Sequence, residues 1–191
     1  MKVAMPSTDL SLSPAPLSRL IRLSRVMEMV TWFGIALVTI LTALALLIQD
    51  WTRNIALAKL GQAGMTLPIT PLGQAVAGLV LAIPVGVMVY GLFAARRMFA
   101  EFASGEIFSE RAARHLQTFA ATVLAQAPLG PLTATAFSAA LSLGNPPGLR
   151  AITVAFSIND YFALIVGGVL FAAATVMREA ARLAEENKGF V

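Results

Sequence analysis

Met29-Val-Thr-Trp-Phe-Gly-Ile-Ala-Leu-Val-Thr-Ile-Leu-Thr-Ala-Leu-Ala-Leu-Leu-Ile-Gln49 carries no charge between Glu28 and Asp50, and its reading decides the fold. About 20 apolar helical residues cross a hydrocarbon core of roughly 30 Å, so this run has the length of a membrane span. A cleaved signal peptide has an apolar core of only about 7–15 residues and lies near the chain start. Here 28 residues with Arg19, Arg22 and Arg25 come first, and the small residues Ala43 and Ala45 fall inside the run. The segment therefore reads as a retained anchor.

Working outward, three more uncharged stretches follow. Leu60 to Ala95 is broken early by Pro68, Pro71 and Gly73, which leaves about 72–95 as a second span. His115 to Leu149 contains Pro128 and Pro131 and closes at Gly144-Asn-Pro-Pro-Gly148, giving a third span over about 115–143. The fourth covers about 161–177. The expected fold is all-α: an integral membrane four-helix bundle with a helical hairpin extending between helices 2 and 3. Residues 1–16, rich in Ser and Pro, form a mobile tail, and 17–191 form one membrane domain.

Composition agrees. The 191 residues are 58% hydrophobic and 13% charged, against about 45–50% and 25% for a soluble domain. Disorder and collagen-like architectures are excluded, and without cysteine there is no disulfide framework and no thiolate metal site. Orientation follows from Lys and Arg near the spans. Arg19, Arg22, Arg25, Arg96, Arg97, Arg111, Arg114, Arg178, Arg182 and Lys188 flank one side, and Arg53, Lys59 and Arg150 the other. Ten against three places both termini in the cytoplasm, and the net charge of +4 is explained by this bias instead of by nucleic-acid binding.

Between the spans, Leu17, Leu20 and Ile21 alternate with arginines. This segment is either an amphipathic helix on the inner leaflet or an extension of the first span. The loop 50–71 reads as a short interfacial helix followed by an extended strap. Ile152, Val154, Phe156 and Ile158 alternate with small residues, a strand signature that would let this piece pair with the first external loop. In the segment 96–114, Phe99 and Phe102 continue helix 2 past the membrane and Gly105 ends it through the left-handed conformation. Ser109 then caps helix 3, with Glu110 in its first turn and Ile107 and Phe108 packing back over the turn.

Signals for chemistry are sparse. His115 is the only histidine and reads as an interfacial residue, and no phosphate-binding loop or nucleophile motif occurs. Asn159-Asp160, just before the fourth span, reads as a helix N-cap, with an intramembrane ion site as the alternative. Gln126, Pro128 and Pro131 could open a hinge or merely kink a long helix. Small residues four apart (Ala82 and Gly86, Ala121 and Ala125, Ala163 and Gly167, Gly168 and Ala172) favour close helix packing, within the chain or between copies. The expectation is a protein that is not an enzyme and has no cofactor or metal site.

Phe102-x-x-Gly105-Glu106-Ile107-Phe108 before the third span, together with Arg178-Glu179-x-x-Arg182-Leu183-x-Glu185-Glu186-Asn187 after the fourth, resembles an uncharacterised bacterial membrane family, domain of unknown function 2975. The resemblance extends from about Met29 to the end, although Lys188-Gly-Phe-Val191 departs from the family's Leu-Thr-Val type of ending. Such proteins are often encoded beside a small helix-turn-helix regulator, so the resemblance implies a cytoplasmic protein partner at the inner membrane, and no known reaction. Candidate partner-binding residues are Phe99, Phe102, Gly105, Glu106, Phe108, Glu110 and Arg111 in the hairpin and Arg182, Glu185 and Glu186 in the last helix. The competing readings are an accessory subunit packed on a larger membrane complex and a small transporter or channel subunit.

Overall fold

The computed structural model describes residues 14–61, 69–107, 109–143, 145 and 152–188. Among these residues there are five helices: α1 Pro14–Leu47, α2 Gln49–Leu60, α3 Pro71–Ala103, α4 Glu110–Ser142 and α5 Ile158–Lys188. The expected all-α class holds, and among the described residues there is no strand.

α1 runs unbroken from Pro14, so the 17–25 segment is an extension of the first apolar helix, not a separate surface helix. Hydroxyls inside it donate to the carbonyl four residues back: Thr31 to Met27 at 2.7 Å, Thr39 to Ile35 at 2.8 Å and Thr42 to Val38 at 2.8 Å. Each is thereby satisfied without a partner outside the helix. The chain breaks at Ile48, whose extended backbone (φ −109°, ψ 116°) starts α2. The buried Thr52 of α2 donates to Ala45 at 2.8 Å and pins the short helix back on α1. The strap expected after it falls on 62–68, outside the described residues.

Thr70 caps α3 by accepting the Gly73 N–H at 3.1 Å, and Pro71 occupies the first turn, where its missing N–H costs nothing. α3 and α4 each remain helical through their internal prolines, Pro84 in one and Pro128 and Pro131 in the other. Gln126 of α4 donates to the Pro84 carbonyl of α3 at 2.9 Å, a polar tie at the middle of both helices.

The long helices pack in series: α1 on α3, α3 on α4 and α4 on α5. Among the described residues the ends of this row, α1 and α5, share no packed interface, so the long helices stand in an open row. Every neighbour is antiparallel. Glu28 in the first half of α1 meets Arg96 near the end of α3. Gln126 of α4 reaches Pro84, and Arg178 late in α5 reaches Gln117 early in α4.

The tightest core lies where α2 closes over the row, with Phe137 and Leu141 of α4 fully buried against Ala56, Leu60, Ala77 and Leu81. Elsewhere the apolar side chains point outward: Phe33 is 68% exposed, Leu79 72% and Val176 71%. Three helical segments, Ser18–Ala45, Pro71–Ala103 and Ile158–Leu183, are long and apolar enough to cross a membrane. α4 carries more polar groups, among them Gln117, Thr122, Gln126 and Ser138.

The apolar alternation at 152–158 forms no strand. Ser138 of α4 takes the place of a strand neighbour: its Oγ accepts the Thr153 N–H at 3.0 Å. Thr153 and Ala155 turn inward while Ile152, Val154 and Phe156 face outward. Of the small-residue pairs, Ala163 and Gly167 face α4, where a Cβ on Gly167 would lie 2.6 Å from the Leu124 nitrogen. Gly86 and Gly168 have nothing within 4 Å, and Ala82 and Ala172 beside them are exposed.

Candidate functional site

The segment between α3 and α4 is built by local rules. Ser104 is the C-cap of α3, and Gly105 follows at φ +89°. The Glu106 N–H then bonds the Glu101 carbonyl at 3.1 Å and the Gly105 N–H bonds the Phe102 carbonyl at 3.1 Å. This is a Schellman motif, and it satisfies carbonyls that the helix end leaves open. Ser109 caps α4 by accepting the Ala112 N–H at 3.1 Å, with Glu110 at the positive end of the helix dipole. α3, the turn and α4 thus form the expected hairpin. Phe108 lies outside the described residues, so the expected packing of that ring is not described.

Because all long helices alternate in direction, the hairpin turn shares one end of the row with the start of α1 and the end of α5. Of the candidate residues, Phe99 and Phe102 meet edge to face at 6.5 Å and are partly buried. The charged candidates are largely paired within their own elements. Glu106 meets Arg111 at 3.1 Å, Glu110 meets Arg114 at 2.8 Å, and Arg182 meets Glu179 at 2.6 Å and Glu186 at 3.6 Å. These pairs are exposed, worth about 0–1 kcal/mol each, and open readily to another partner. Glu185 is exposed and makes no ion pair among the described residues.

α5 is held on the hairpin by Arg178, which donates to Gln117 at 3.1 Å. A second inter-helix contact escapes sequence reasoning. Arg96 pairs with Glu28 at 3.3 Å while its guanidinium lies 4.7 Å above the Trp32 ring, which in turn meets Phe93 edge-on at 6.1 Å. The cation–π contact and the ion pair lock α1 to α3 at the hairpin end. Counted only as flanking charge, Arg96 gave no hint of this role, since its partners come from a helix some sixty residues away.

At the opposite end, a cavity of about 500 Å³ lies between α2, α4 and α5, lined by Lys59, Gly130, Asn159 and Asp160 among others. Asp160 accepts the Ser157 N–H at 2.8 Å, and Ser157 accepts the Asn159 N–H at 3.2 Å. That is a capping box in which Ser157 is the N-cap and Asp160 reaches back to it from the first turn, so the cap falls on Ser157, ahead of the expected Asn159-Asp160. The Asp160 carboxylate rests against Gly130, where any side chain would collide with it.

No curated protein and no solved structure matches this chain. Residues 51–189 match the family described as "Protein of unknown function (DUF2975)". The matched region begins at Trp51, so α1 lies before it, later than the start near Met29 that the resemblance suggested. It contains the hairpin, its glycine turn and all of α5, and it covers well over half of the sequence. By that match the chain belongs to the DUF2975 family, whose function is unknown.

Proposed function

We propose that this is a non-enzymatic, four-span protein of a bacterial cytoplasmic membrane, with both termini in the cytoplasm, that binds a helix-turn-helix regulator through its hairpin end. The outward-facing apolar side chains of α1, α3 and α5 support a membrane location. The case for a fourth span rests on direction. α3 and α5 both run antiparallel to α4, so they are parallel to each other, and two parallel spans need a crossing between them. α4 is that crossing. Its lower hydropathy fits its place in the middle of the row, where it faces α3 and α5 more than lipid.

The observation that carries the regulatory reading is the gathering of two mixed-charge elements, the hairpin and the end of α5, at one end of the row. Under the charge bias this end is cytoplasmic. Its carboxylates can exchange their weak internal pairs for the cationic face of a DNA-binding protein, in competition with phosphate. The test replaces Glu106, Glu110, Glu185 and Glu186 by Lys together. Normal membrane levels with altered expression of genes near its own are expected, along with loss of a co-purifying soluble regulator. Normal levels with unchanged expression refute the regulatory reading.

One observation favours a second reading, an accessory subunit of a larger membrane assembly. The row is open between α1 and α5, and the small residues Gly86 and Gly168 present bare backbone outward. Such surfaces allow close helix approach. A stoichiometric membrane assembly purified with the native chain would select this reading over the first.

A further inference from the structure

Two cavities at the hairpin end join into one feature. The upper, about 370 Å³, lies between α3 and α4 and is lined by Arg97, Arg114, His115, Phe93 and Tyr90. The lower, about 410 Å³, is a shallower trough lined by Val87, Ala121, Ala125 and Phe171. Tyr90 and Thr118 line both, so a cationic recess continues directly into an apolar one. Arg97 makes no ion pair among the described residues, and Arg114 shares its charge only with the exposed Glu110. Glu101 also acts on His115, but among the described residues no carboxylate lines the recess, so its wall is positive.

The dimensions match one leaflet of a bilayer. From Arg97 down to Val87 on α3, and from His115 down to Ala125 on α4, each helix descends about 15 Å at 1.5 Å per residue. Half of a hydrocarbon core of roughly 30 Å is the same depth. The charged residues stand at the headgroup level, Tyr90 lies seven residues and so about 10 Å deeper, and the trough runs toward the midplane. A free anion would need only the upper recess, and a neutral lipid only the trough. A ligand with a negative head on an acyl chain uses both.

We infer that this composite groove binds an anionic phospholipid, with its phosphate on Arg97, Arg114 and His115 and an acyl chain along Ala121 and Ala125. Basic recesses between spans on the cytoplasmic side are where anionic headgroups collect. The site rests on the reading that the chain spans the membrane with the hairpin end inside. It also places a lipid beside the hairpin, so lipid composition acts on the same surface that the regulator would meet.

The test uses the full chain purified in mild detergent and native mass spectrometry of bound lipid. Phosphatidylglycerol, phosphatidylcholine with the same acyl chains, and inorganic phosphate are titrated separately. Phosphatidylglycerol should bind about tenfold or more tightly than phosphatidylcholine. Arg97→Gln with Arg114→Gln should abolish that preference by weakening phosphatidylglycerol more than phosphatidylcholine, whose choline already offsets its phosphate charge, whereas Arg97→Lys should retain most of it. Ala121→Phe with Ala125→Phe should weaken both lipids by filling the trough. If the double arginine variant loses helix content, Arg97→Gln alone serves, because it leaves the Glu110–Arg114 pair intact. Equal affinity for the two lipids, an unchanged preference in the arginine variants, or displacement by inorganic phosphate overturns the site. Release of the wild-type chain from membranes by alkaline carbonate would instead overturn the spanning reading. A chain that stays in the membrane yet binds lipids without preference refutes this site alone.

Discussion

Gly167 and Gly168 are adjacent in α5 and indistinguishable by composition, yet they should respond oppositely to alanine. A Cβ on Gly167 would lie 2.6 Å from the Leu124 nitrogen and 2.7 Å from its Cα, while one on Gly168 meets nothing within 4 Å. Ordinary contact begins near 3.4 Å, so α5 must withdraw from α4 by about 0.8 Å, and the obstacle is helix backbone that cannot rotate aside. Overpacking of this kind costs about 1–3 kcal/mol. Both variants share the gain from replacing a helical glycine, about 0.5–1 kcal/mol, so the difference between them isolates the steric cost. Gly168→Ala should match or exceed the wild type in stability, and Gly167→Ala should fall below Gly168→Ala by about 1–3 kcal/mol. The assay is reversible unfolding in mixed micelles by increasing fractions of denaturing detergent, followed by far-ultraviolet circular dichroism. Stabilities within about 0.5 kcal/mol of each other, or in the reverse order, would refute the close approach of α5 to α4.

Gly105→Val should destabilise the α3–α4 hairpin by about 1 kcal/mol or more, because a β-branched residue at φ +89° is sterically penalised. Thermal unfolding should show the loss, and Gly105→Asn, which tolerates this conformation better, should lose less. Gln126→Leu removes the tie to the Pro84 carbonyl and should cost about 0.6 kcal/mol, up to roughly 1.7, in the same detergent titration. No loss would mean the bond is idle. A reporter fused after Val191 should be active only if it works in the cytoplasm, and a periplasmic reporter active there would overturn the four-span arrangement.

Much of the layout was legible because the signals are local. Gly105 after Phe102 and Ser109 before Glu110 mark helix ends through hydrogen bonds spanning only a few residues, whereas the Thr70 cap ahead of Pro71 shows only in the structure. The uncharged runs located α1, α3 and α5 because a bilayer reads length and polarity along a single segment. α4 was placed by the same absence of charge, but its lower hydropathy makes sense only from its neighbours on both sides. The last carboxylates were legible as exposed and mixed with cations; that Glu106 chooses Arg111 and Glu110 chooses Arg114 follows from rotamers and helix register.

The remainder depended on which surfaces meet. The alternation at 152–158 suggested a strand, but a strand needs a partner edge, and here Ser138 satisfies Thr153 while the apolar residues face outward. Arg96 and Arg97 are neighbours of the same type, and only the arrival of α1 commits the first to Glu28 and Trp32 and leaves the second over the lipid-shaped groove. The sequence by itself determined that the long helices exist, where the turn between α3 and α4 falls, and that their surfaces are apolar, since propensity, capping and hydropathy act within a few turns. The tertiary structure alone decided that they stand in an open row, which of two adjacent glycines is contacted, and which arginine makes no ion pair among the described residues. Those outcomes depend on close packing between side chains distant in the chain, and packing is a property of pairs of surfaces that no single segment encodes.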